Sequence, residues 1–77
     1  EEEWDWGSGY PTAPGRVTNV RNLPAFQELC AAHGAAVVLF VNHAVLTDPD
    51  GAAVVRDLAA RPGVEVGLHI HPWNTPP

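Results

Sequence analysis

The chain has 77 residues, enough for one small domain, and a formal net charge of −5. Four of its nine acids, Glu1, Glu2, Glu3 and Asp5, lie in the first five positions; without them five acids face four arginines, so the remaining body carries only −1. That body lacks the basic footprint nucleic acid requires, no apolar run is long enough to span a bilayer, and a lone Cys30 excludes an internal disulfide.

The chain opens on Glu1, contains no Met and stops at "TPP". It is therefore expected to be the N-terminal piece of a larger domain. Residues 1 to 22, with "WDWGSGYPTAPG", read as loop because Gly, Pro, Ser and Thr dominate. "NLPAFQELCAAHG" reads as a helix with Asn22 as N-cap, Pro24 in the first turn and Gly34 at the C-terminal cap. Leu23, Phe26, Leu29, Cys30 and His33 share one stripe at helical spacing. "AAVVLFVN", Ala35 to Asn42, is a continuous apolar run rich in β-branched residues. It is expected to be a strand buried on both faces, as parallel strands are.

"TDPDGAAVVRDLAARPG" predicts a second helix, capped by Asp48, with Pro49 at its first position and Pro62 beyond its end. Val54, Val55 and Leu58 form its apolar stripe. "VEVGLHIH" predicts a second strand, with Val64, Val66, Leu68 and Ile70 directed toward helices and Glu65, Gly67, His69 and His71 on the other face. The order over residues 23 to 77 is thus α, β, α, β. Short connections between strand, helix and strand imply an α/β fold with parallel strands and a crossover helix.

His69 and His71 stand at the C-terminal tip of that strand, where α/β enzymes place their sites. Residues two apart on a strand point the same way, roughly 6.5–7 Å apart. Two imidazoles so placed can converge on one ion, zinc lying ~2.0–2.1 Å from each nitrogen. Pro72 follows, cannot donate to the ladder, and stops the strand. The other reading of the pair is two strand-end histidines with local polar partners. A cupin would need an antiparallel barrel and a nearby Glu. An amidohydrolase-type barrel carries such a pair on its first strand, whereas here a helix, a strand and a helix precede it.

"EVGLHIHPWN" resembles the second motif of the polysaccharide deacetylase family, the NodB-type carbohydrate esterases, in a subgroup with a His-x-His-Pro-Trp form. "EEEWDWG" resembles the segment after that subgroup's first catalytic motif, and "NLPAFQELCAAHG" and "VVLFVNHAVLTDP" resemble the helix and strand between the two. The resemblance covers nearly the whole chain. It implies a partial (β/α) barrel and hydrolysis of N- or O-acetyl groups on sugars. It also implies a divalent metal, often zinc, with an Asp as base and a later His as acid. His69 and His71 match the metal histidines, although the widespread motif separates them by three residues rather than one. The resemblance places the general base upstream of Glu1 and the acid His downstream of Pro77, so the chain alone is expected to be inactive.

Glu1 is either a carboxylate ligand or, with Glu2 and Glu3, merely solvated. Trp73 is either a platform for the acetylated carbohydrate or a packing residue; Trp4 and Trp6 are read as packing. Asn42 and His43 read as a strand-end polar turn, Cys30 as a small buried apolar group, and His33 as a residue without a catalytic role. Two other functions fit the same features: an amidohydrolase-type metal hydrolase, and a non-catalytic carbohydrate-binding relative. Neither compartment nor oligomeric state is legible.

Overall fold

A computed structural model of the chain describes Glu3, Gly7, Gly9 and residues 16–73. A 3-10 turn, Asn19–Asn22, leads into α1, Leu23–Ala32. Then follow β1, Val37–Val41; α2, His43–Thr47; α3, Pro49–Ala59; and β2, Val64–Leu68. The two strands form a parallel two-stranded sheet, with α2 and α3 in the crossover between them. The architecture is α/β with parallel strands, as the short connections imply.

Local chemistry sets most boundaries. α1 ends because Gly34 adopts φ 70, a left-handed conformation that costs glycine little. Gly34 N–H then donates to Ala31 O at 3.0 Å and Ala35 N–H to Cys30 O at 2.8 Å, satisfying two end carbonyls. Asp48 serves two helices at once. Its backbone N–H closes α2 onto Ala44 O at 3.2 Å, and its carboxylate accepts from Gly51 N at 2.7 Å to start α3. Pro49 stands in the first turn of α3, where a missing N–H costs nothing.

The start of α1 differs from expectation. Asn22 has helical dihedrals and its side chain makes no capping bond. The preceding 3-10 turn runs directly into the helix, with Leu23 N–H donating to Val20 O. α2 is also new: five residues are too few to show a helical period. Its start is marked by Asn42, extended at φ −110, ψ 175, whose side chain accepts from Val45 N at 3.2 Å.

The core lies beside the C-terminal end of β1. Val20, Val41, Val45 and Val55 are buried together, with Val17, Leu23 and Val54 packed on them. Leu58 of α3 is 0% exposed. α3 packs against α1, α2, the 3-10 turn and β2, so it is the element through which the others meet.

The sheet is not buried on both faces. The register pairs Val37 with Val64, Leu39 with Val66 and Val41 with Leu68, so these six share one face. Val38 and Phe40 project from the other and are exposed, Phe40 at 61%. The expected contact between the last strand's apolar side and the helices also fails toward its end. Val66 is exposed, Leu68 is 63% exposed, and Ile70 is exposed as well. The reason is supply: Val55 of α3 packs with Val41, and α1 docks on α3 rather than on the sheet.

α1 buries only part of its apolar stripe: Leu23 packs on the core and Cys30 is half-buried. Phe26 and Leu29 are exposed, whereas Gln27 is buried. Gln27 Oε1 accepts from Arg61 Nη1 at 3.0 Å, and Arg61 also reaches Asp57 Oδ2 at 2.9 Å and Glu28 Oε1 at 3.8 Å. This polar link at the C-terminal end of α3 sets the face that α1 turns inward.

Two substitutions test the core. Leu58→Ala leaves a cavity in the centre of the fold and is expected to cost about 2–5 kcal/mol, read from the denaturant midpoint at unchanged slope. Gly51→Ala would ordinarily add roughly 0.5–1 kcal/mol to a helix. Here a Cβ would meet Val45 O at 2.9 Å and Val17 Cγ1 at 3.2 Å. The carbonyl is backbone and cannot yield, so Gly51→Ala is expected to lower the midpoint rather than raise it.

Candidate metal-binding histidine pair

β2 delivers the two histidines by its register with β1. The ladder runs one bond past the last paired residue: His69 N–H donates to Val41 O at 2.8 Å. The chain then leaves the sheet through Ile70 and His71 and turns at Pro72 and Trp73. His69 remains exposed and His71 is buried, at 4% exposure. Their rings lie together, with centroids 4.9 Å apart and planes at 84°.

That separation has a chemical meaning. Two imidazoles binding one tetrahedral zinc through nitrogens ~2.0–2.1 Å away have ring centres roughly 5 Å apart. The ring separation matches that of two imidazoles at adjacent corners of such a site. Among the described residues, no group of three or more His, Cys, Asp or Glu side chains is placed to hold an ion. Glu1, the expected carboxylate ligand, lies outside the described residues, as do Trp4 and Trp6.

Trp73 lies against His71, with centroids 4.9 Å apart and planes within 10° of parallel. One face of the indole is thus covered by an imidazole. His43 begins α2 and Asn42 uses its side chain as the cap, so both form the polar turn expected at the tip of β1. Cys30 is half-buried and His33 exposed, and neither lies in the ring cluster.

A cleft of about 810 Å³ opens elsewhere, lined by Arg16, Thr18, Arg21, Asp48, Asp50 and Val54 among others, and by none of His69, His71 and Trp73. Its polar groups are engaged in holding the fold. Asp48 caps α3, Arg21 Nε donates to Thr18 O at 3.0 Å, and Arg16 Nε stands 3.5 Å from Glu3 Oε2. The chemistry therefore favours the histidine tip over the larger recess.

Glu3 shows what one acid of the leading segment does. Its backbone N–H donates to Arg16 O at 2.6 Å. Its carboxylate accepts from the Thr18 hydroxyl, from Thr18 N at 3.0 Å and from Asn19 N at 2.9 Å. The Thr18 hydroxyl bond above all, with the two backbone donors and Arg16, holds its carboxyl below the ordinary Glu value. Glu3 thus ties the leading segment to the start of the 3-10 turn, and its carboxylate is committed there.

Compared with protein-family models, with curated proteins and with solved structures, the chain has no match. Among the described residues, no helix is long and apolar enough to cross a membrane.

The depressed Glu3 pKa makes a signed prediction. Its contribution is present above the unfolded-state value and lost as pH falls through the lower, folded-state value. Glu3→Gln is expected to melt below the wild type at pH 7, and the gap to close in acid below the carboxylate range. Equal melting temperatures at neutral pH would show that the carboxylate ties nothing down.

Proposed function

We propose that this chain forms part of a metal-dependent hydrolase of the polysaccharide deacetylase type, acting on N- or O-acetylated sugars. The observation that carries the reading is the pair of imidazoles, 4.9 Å apart at the C-terminal end of a parallel strand. The resemblance of "EVGLHIHPWN" to the family's second motif supports the same chemistry. The parallel pair with its helical crossover is one repeat of the kind that builds a (β/α) barrel. Exposed Val38 and Phe40 on one sheet face and Leu68 and Ile70 near the other fit a sheet that further β/α units complete.

In this reading His69 and His71 each hold the metal, expected to be zinc, through one ring nitrogen. When bound, the metal supplies Lewis acidity toward an acetyl carbonyl and lowers the pKa of water to near ~7. An imidazole ligates a metal through the lone pair of its neutral ring. A catalytic zinc takes three protein ligands and keeps one position open. Glu1, or an acid on the upstream strand that the family resemblance implies, would provide the third. The near-neutral body suits an uncharged acetamide or acetyl ester, which needs no basic patch.

The test is metal content by mass spectrometry beside acetate release from an acetylated sugar oligomer. The 77-residue chain is expected to bind zinc weakly and release no acetate. In the protein as it occurs naturally, His69→Ala/His71→Ala is expected to lower both metal retention and turnover by orders of magnitude. A double mutant that kept both would return the pair to strand-end histidines with local partners.

A further inference from the structure

Trp73 invites reading as a sugar platform, because an aromatic ring offers a flat apolar face beside a polar edge. Its surroundings point elsewhere. One indole face lies on the His71 imidazole at 4.9 Å and 10°, and the Nε1 atom is itself buried. Neither the stacked face nor the buried Nε1 edge is open to a sugar. His71 also meets the His69 ring in a T-shaped contact, with centroids again 4.9 Å apart. His71 thus touches both the indole and the second imidazole and is 4% exposed.

We propose that Trp73 is a positioning residue, which holds the plane of His71 so that His69 and His71 present nitrogens to one divalent metal. This rests on the metal reading of the pair. The need for a clamp follows from rotamer physics. The outer torsion of histidine is broad and roughly two-fold, and beyond β2 the ladder no longer fixes the backbone that carries His71. A parallel stack removes the freedom to tilt. It leaves the half-turn flip, which keeps the plane but puts Cδ2 where Nδ1 stood and Cε1 where Nε2 stood. Ligating histidines ordinarily depend on such outer partners, whose loss weakens metal binding by about 10–100-fold. A stack is weaker than a hydrogen-bonded carboxylate, so roughly three- to tenfold is expected here.

The experiment uses the 77-residue chain with zinc or copper as the probe. Calorimetry compares zinc affinity in wild type, Trp73→Phe, Trp73→Ala and His69→Ala/His71→Ala, with circular dichroism reporting the fold. Trp73→Phe keeps a ring face and is expected to bind as the wild type does. Trp73→Ala is expected to bind three- to tenfold more weakly, and the double histidine variant not to bind. A second measurement leaves Trp73 in place. In a Trp4→Phe/Trp6→Phe background it is the sole tryptophan, and copper is expected to quench its emission saturably until His71→Ala removes the effect. Folded Trp73→Ala with wild-type zinc affinity, or no saturable quenching, overturns the clamp while loss of zinc in the double histidine variant leaves the metal site standing. Wild-type zinc binding by the double histidine variant overturns the metal reading itself, and the clamp with it.

Discussion

The hydrogen bond from His69 N–H to Val41 O, 2.8 Å long, closes the ladder on which the rest of the arrangement depends. It continues a register that runs from Val37 opposite Val64 to Val41 opposite Leu68. A slip of one residue would reverse every side chain on β2. Leu68 would then stand where His69 stands, and the imidazoles would turn to the opposite face. Parallel register has no hairpin turn to pin it, so it must be held by the crossover. That is the work of α2, α3 and the valine cluster beside Val41. The core and the site are therefore one construction: the same strand end anchors both.

The parts of the fold legible in sequence are those where a local signal and the tertiary contact agree. Asp48 and Pro49 announce the start of α3, and its carboxylate cap is in place at 2.7 Å. Gly34 announces the end of α1 and adopts the conformation the stop requires. The β-branched run and the alternating run both become strands, and the crossover rule orders them. Where local signals mislead, a tertiary contact has overruled them. Leu23 of the predicted α1 stripe packs inward, but the Arg61 link turns Gln27 inward beside it and leaves Phe26 and Leu29 exposed. Asn22 has the chemistry of a cap, but a 3-10 turn already supplies the helix with its beginning. α2 has a cap in Asn42 and nothing else that five residues could display.

The site divides in the same way. That His69 and His71 stand close was legible only in part, because the strand expected to carry both ends at Leu68 and the chain leaves the sheet before His71. The stack of Trp73 on His71 was not, because it forms across Pro72, after the period has ended. No repeat or spacing predicts which way an indole folds back from a turn. Glu3 was hidden for another reason. A run of acids reads as solvated surface, and only the fold brings Thr18 and Asn19 to its carboxylate.

The two histidines are unequal, and the inequality bears on how such a pair could work. His71 is buried in contact with two rings, whereas His69 is exposed on the strand end. A ligand whose ring is already held loses little rotamer freedom when a metal arrives; an exposed one loses more, since ordering it costs entropy. Backbone order compensates in part: His69 is the residue whose N–H the ladder fixes, and His71 is the one whose ring is packed. Each histidine is thus restrained at a different level, one through its main chain and one through its side chain. Preorganisation of that kind allows a two-residue contribution to a metal shell to be more than two flexible imidazoles at a strand end. It also leaves the adjustable partner, His69, on the open side of the pair.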